Sequence, residues 1–213
     1  MFKARVLVPI LFIASLFAWL SSHGVWKRLN SRKAIVSPTH YLVPVPFLEK
    51  LKNKAEAAKA FIRKESFNSS ICFLVDMSLP SGQNRFFVYD LEKDSIKNAG
   101  LVAHGRCNQF WLEGRKYGNT VGCGCTSLGK YKIGNPYVGR FGQAFKLYGL
   151  DKTNDQAFNR FVVLHSYSYV PETEVKDEIC QSDGCPMVAP GFLAYLTPIL
   201  NTSKRPVLLW IYE

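Results

Sequence analysis

Arg160-Phe161-Val162-Val163-Leu164-His165-Ser166 is the stretch that decides the reading of this chain. It is β-branched and aromatic, which predicts a buried strand that carries His165 to its exposed end. Downstream, Cys185 sits in Ser182-Asp183-Gly184-Cys185-Pro186, where Gly184 permits a sharp turn that presents the thiol. A thiol at its ordinary pKa of about 8.5 is only a few per cent thiolate at neutral pH, so an adjacent imidazole is its natural activator. The two residues read as a cysteine nucleophile and its base, brought together in space rather than in sequence.

The chain has 213 residues, 47% apolar and 14% aromatic, enough for one substantial core, and it shows no internal repeat. Lys3 and Arg5 precede an uncharged apolar stretch from Val6 to Leu20, the layout of a secretory signal. Ser22-His23-Gly24 offers a cleavage site, giving a signal peptide over residues 1–24. Extended to Trp26, the uncharged stretch 6–26 is long enough for a membrane anchor instead. Lys27, Arg28, Arg32 and Lys33 just beyond it disfavour an anchor with its C-terminus outside and tilt the reading toward cleavage. Either way the chain is expected to be exported, to the periplasm or cell envelope. Residues 1–33 carry six Lys or Arg and no acid, so +5 of the formal net charge of +11 belongs to the remainder. An exported basic domain meets anionic wall polymer or membrane surface rather than nucleic acid.

Residues 25–46 read as a linker, made extended by Pro38, Pro44 and Pro46. A helix is expected at about 47–65, where Phe47, Leu48, Leu51, Ala55, Ala58, Phe61 and Ile62 recur mostly at three- and four-residue spacing. Short β-like runs follow at Ile71–Met77, Arg85–Asp90, Leu101–Ala103, Tyr131–Ile133, Phe145–Tyr148 and Phe161–Leu164. Pro80-Ser81-Gly82-Gln83-Asn84 predicts a hairpin loop between the first two. Phe192–Leu200 reads as a short helix interrupted by Pro198, and Val207–Tyr212 as a final strand. The fold class is mostly β with a few helices.

Six cysteines, at 72, 107, 123, 125, 180 and 185, suit an oxidising compartment. With Cys185 free, two disulfides at most can form, and spacing does not choose the pairing. Cys180 reads as a half-cystine, a resolving thiol or a buried apolar residue. Cys123, Cys125, Cys180, Cys185 and His165 fit no common zinc spacing, so no metal and no cofactor are expected. His104 ends a second apolar run and is either a buried, hydrogen-bonded histidine or part of a substrate cleft.

These residues resemble the L,D-transpeptidase catalytic domain family, the YkuD-like group, whose hallmark is a histidine followed by S-x-G-C. The resemblance covers roughly residues 71–212 and extends to Asp76-Met77-Ser78, Ser127-Leu128-Gly129-Lys130-Tyr131, Gly149-Leu150-Asp151, Asn154-Asp155 and Arg160. It implies a YkuD-like β-sandwich catalytic domain over residues 47–213. It also implies a peptidoglycan stem-peptide substrate and a thioester acyl-enzyme on Cys185. By the same resemblance His165 is base and then acid, and the Ser166 carbonyl orients the imidazole. Gly184 and Cys185 supply oxyanion N–H groups, and Ser182 braces the loop. Ser182, Asp183, His104 and Arg160 are the expected substrate-binding residues. The chain departs from many relatives at Asp183, where they carry His or Arg, and at Met187, where they carry Arg. Arg160, Arg140 or Lys146 is then left to receive the substrate carboxylate. Two alternatives stand beside a transpeptidase: an L,D-carboxypeptidase, in which water resolves the thioester, and a non-catalytic exported wall-binding domain.

Overall fold

The computed structural model describes residues 45–213, so the leader and most of the linker, including segment 6–26, lie outside the described residues. The chain runs through helix α1 (Val45–Lys64) and strands β1 (Ile71–Asp76), β2 (Phe86–Asp90), β3 (Ser95–Gly100), β4 (Val102–Ala103), β5 (Gly129–Gly139), β6 (Gly142–Gly149), β7 (Val163–Ser166) and β8 (Met187–Val188). Helix α2 (Pro190–Thr202) and strand β9 (Leu208–Tyr212) complete it. All nine strands join one sheet in the order β3-β2-β1-β9-β5-β6-β7-β8-β4. Its two edge strands, β3 and β4, are separated only by Leu101, so the sheet must curl until its edges nearly meet. The expected mostly β fold is present, with both layers supplied by this one sheet.

The sequence pattern follows from which faces are covered. Strands β1, β2 and β9 are buried on both sides and read as continuous apolar runs. On one side Leu51, Ala55, Ala58 and Ile62 of α1 pack on Cys72, Leu74, Phe87, Tyr89 and Leu208. On the other, Phe73, Phe86, Tyr131, Phe145, Leu164 and Leu209 form the main core with Phe192, Leu193 and Leu196 of α2. Strand β5 starts by alternating, with Tyr131 and Ile133 inside and Lys130 and Lys132 half-exposed.

Several of the stretches that carry the resemblance serve as struts. Asp76 accepts from the Ser78 N–H and hydroxyl and pairs with Lys50 of α1 at 3.0 Å, tying helix to sheet. Asp151 accepts from the Lys130 N–H at 2.7 Å and Asn154 donates to the Lys130 carbonyl at 2.8 Å, fixing the start of β5. A Cβ on Gly149 would lie 1.8 Å from the Asn154 carbonyl, so only glycine fits there.

Several expectations change. The strand expected over Arg160–Ser166 begins only at Val163, because Phe161 takes a left-handed φ of +56° and turns the chain. His165 is buried rather than at an exposed strand end. Helix α2 continues through Pro198 without interruption. The β5–β6 hairpin is longer than expected because Gly134-Asn135-Pro136, which resembles a turn, is absorbed as an irregularity in the pairing. Strand β3 was not expected, since Ser95-Ile96-Lys97-Asn98-Ala99-Gly100 is a polar edge strand with weak alternation.

Candidate active site

Parallel pairing of β7 with β8 places His165 opposite Met187, two residues past Cys185. The His165 N–H points to the Pro186 carbonyl at 3.5 Å, so the nucleophile loop lies alongside the histidine strand. The Cys185 thiol lies in a backbone cradle formed just before β7. The Val163 N–H donates to Sγ at 3.5 Å, and the Phe161 carbonyl is the thiol's acceptor at 3.8 Å. Among the described residues no hydrogen bond joins Sγ directly to the imidazole.

The ring of His165 is positioned by two contacts. Its Nδ1 lies 3.0 Å from the Ser166 carbonyl, which can only accept; this places the proton on Nδ1 and leaves Nε2 as the basic atom. Phe141, from the tip of the β5–β6 hairpin, stacks on the imidazole with centroids 4.7 Å apart and planes at 18°. Burial lowers the His165 pKa below its ordinary value, opposed by the Ser166 carbonyl. Burial also raises that of Cys185, opposed by the Val163 N–H and Arg160. At rest both shifts favour the neutral forms at neutral pH, an imidazole and a thiol.

The Ser182–Cys185 turn is closed from within. The Ser182 hydroxyl donates to the Cys185 carbonyl at 2.7 Å and accepts from the Gly184 N–H at 3.1 Å. The Gly184 N–H is thus engaged inside the turn, while the Cys185 N–H has no acceptor among the described residues. Gly184 has φ +112°, and a Cβ there would fall 2.7 Å from the Cys125 carbonyl oxygen. The turn is held from outside by a Ser182 N–H bond to the His104 carbonyl and an Arg106 N–H bond to the Ser182 carbonyl, both 2.8 Å.

The other expected substrate contacts are occupied. Arg160 donates to the carbonyls of Gly118, at 2.9 Å, and Cys125, and to the Ser127 hydroxyl. Its guanidinium braces the wall behind Gly184. Asp183 is mostly exposed and pairs with Arg106 at 2.8 Å. Such a solvated pair contributes at most about 1 kcal/mol, so it orients the turn more than it stabilises it. His104 is buried, its Nδ1 accepting from Arg85 at 3.1 Å, and its pKa falls to about 4 through burial and then through the nearby Arg85 and Arg115 charges. Arg85 is itself fully buried and donates to the carbonyls of Val102 and Leu79.

A disulfide joins Cys107 to Cys125, and Cys123 is free beside it, its sulfur 3.4 Å from the Cys125 N–H. Cys180 is unpaired. Cys72 lies buried beneath α1, where burial drives its pKa up to about 12 and keeps it an inert thiol. Phe141, Arg85 and Arg106 escaped sequence reasoning. Only Phe141 carried a signal, an aromatic residue between Gly139 and Gly142 at a turn.

A curled sheet bearing a thiol and an imidazole on adjoining strand ends matches the class expected from the S-x-G-C turn. Residues 47–212 match the family of the L,D-transpeptidase catalytic domain, YkuD_2, and the chain belongs to that family. No curated protein matches. Among solved structures, the chain is similar to the helical cell shape determining protein Pgp2 of Campylobacter jejuni, at 13% identity over 76% of this chain and 55% of that one, with a TM-score of 0.45. It is also similar to a fused Zn-dependent amidase/peptidase/peptidoglycan-binding domain-containing protein of Clostridium acetobutylicum, at 12% identity over 80% of this chain and 63% of that one, with a TM-score of 0.37. The chain thus spans less than two thirds of either.

Proposed function

We propose that this protein is an exported cysteine L,D-transpeptidase acting on peptidoglycan tetrapeptide stems. The observation that carries the reading is the Cys185 thiol, held in a backbone cradle at the edge of β8 beside a histidine whose proton sits on Nδ1. Nε2 of His165 takes the thiol proton as Sγ attacks the carbonyl that precedes the terminal D-residue of the donor stem. The C–N bond then breaks, His165 returns the proton to the departing amine, and the acyl group stays on Cys185 as a thioester. An acceptor amine attacks the thioester, loses its proton to His165 and releases the thiol. The Cys185 N–H faces the developing oxyanion, a contact of the kind that contributes about 3 kcal/mol. With both terminal nitrogens of Arg160 donating within the fold and Met187 buried, we assign the substrate carboxylate to Arg140, whose guanidinium lies over the Phe141 ring that stacks on His165.

The test is intact-mass analysis after incubation with a carbapenem, followed by incubation with tetrapeptide muropeptides. A single covalent adduct, lost in Cys185→Ala, is expected, and crosslinked dimers should follow. Tripeptide products alone would instead identify a carboxypeptidase, and an undiminished adduct in Cys185→Ala would remove the nucleophile assignment.

A further inference from the structure

We propose that the Phe161 side chain is a substrate-binding residue that holds an aliphatic part of the acyl donor against the Cys185 thiol; the inference rests on the transpeptidase reading above. Four non-glycine residues among those described have positive φ: Asp94, Cys107, Asn108 and Phe161. The first three have evident local reasons. Asp94 accepts from the Tyr89 hydroxyl at 2.5 Å, Cys107 is tied into the disulfide, and Asn108 donates to the Gly122 carbonyl at 2.7 Å. Asn and Asp also tolerate the left-handed region better than other side chains, whereas a bulky aromatic there is an outlier.

Phe161 at +56° has no comparable return within the fold. The residue is 84% exposed, and its ring joins none of the ring pairs or cation contacts formed among the described residues. Neither burial nor packing offsets the backbone strain. What the turn achieves is local: its own carbonyl faces Cys185 Sγ at 3.8 Å, and two residues on the Val163 N–H reaches Sγ at 3.5 Å. Glycine would make the same turn without strain. The turn therefore accounts for the backbone and leaves the phenyl ring to be explained by something outside the protein. Strained, solvent-facing residues concentrate where ligands bind. An exposed apolar ring on the residue whose carbonyl faces the thiol complements methyl and methylene groups flanking the attacked carbonyl.

The experiment compares the full-length protein with Phe161→Gly and Phe161→Tyr. KM and kcat are measured on tetrapeptide donors, together with melting temperature and the rate of Cys185 alkylation by iodoacetamide. Loss of a partly buried aromatic contact predicts a KM about tenfold higher in Phe161→Gly. Its kcat and alkylation rate should stay within about twofold, its melting temperature should equal or exceed the native value, and Phe161→Tyr should restore KM. An unchanged KM in Phe161→Gly overturns the inference while leaving the transpeptidase reading intact. A slower alkylation that parallels the activity loss also overturns it, by tracing the effect to the thiol's cradle. Absence of turnover in the native protein overturns the transpeptidase reading, and this inference with it.

Discussion

His104 makes the nucleophile turn sensitive to acid, and the structure sets the size of the effect. In the folded chain its pKa falls to about 4, first through burial and then through the neighbouring Arg85 and Arg115 charges, against about 6.5 when unfolded. Because the folded value is depressed, the unfolded chain binds the proton first as pH falls. Stability is undiminished above about pH 6.5 and is lost progressively from there down to about pH 4. At about 1.4 kcal/mol per unit, this group alone removes about 3 kcal/mol across the window, and about 2.5 kcal/mol by pH 4.5. Carboxylates and His165 titrate as well, so the quantity to measure is a difference. Urea unfolding at pH 7.5 and pH 4.5 is compared for the native protein and His104→Gln, whose amide oxygen can accept from Arg85 but does not titrate. The native protein should lose about 2 to 3 kcal/mol more than the variant over that interval. Equal losses would refute the argument, since they would mean that the imidazole meets water in the folded state. The effect should reach the site, because the His104 carbonyl holds the Ser182 N–H. Acid inactivation should therefore begin in the native protein at a higher pH than in His104→Gln.

Two further outcomes follow from the walls around the turn. Gly184→Ala forces a Cβ against the Cys125 carbonyl at a φ that side chains rarely adopt, so it should cost about 1 to 3 kcal/mol and slow carbapenem acylation at least tenfold; mass spectrometry reads the rate, and native-like acylation would show that the turn yields freely. Removing the Cys107–Cys125 disulfide, which spans 18 residues, as Cys107→Ser with Cys125→Ser should cost about 3 kcal/mol. Melting temperature should fall by several degrees, and an unchanged midpoint would mean that the loop is held by its other bonds.

The chemistry of this chain is more legible in its sequence than its geometry. Strands β1, β2 and β9 are apolar because α1 covers one face of the sheet there and the opposite layer, with α2, covers the other, and α1 shows its buried stripe because Leu51, Ala55, Ala58 and Ile62 are its inward residues. Strand β3 escapes because an edge with solvent on one side imposes little pattern. The role of Arg160 escapes for a different reason, whereas His104 is the buried, hydrogen-bonded histidine that the end of its apolar run allowed. Composition identifies a cation or an imidazole near a motif, but whether it meets substrate depends on acceptors contributed from distant segments. The carbonyls of Gly118 and Cys125 claim Arg160, and Arg85 claims His104.

Phe161 shows the opposite relation between pattern and structure. Its aromatic character supports a strand reading, yet its backbone breaks the strand and turns the chain around the thiol. A residue that conflicts with its local pattern and gains no packing in return is where fold and function are most separable. A strand-compatible φ at that position would carry the 161–163 segment away from Sγ, and the nucleophile would lose both backbone contacts that hold it at rest. The turn at Phe161 is therefore as much a part of the thiol's environment as the S-x-G-C turn itself.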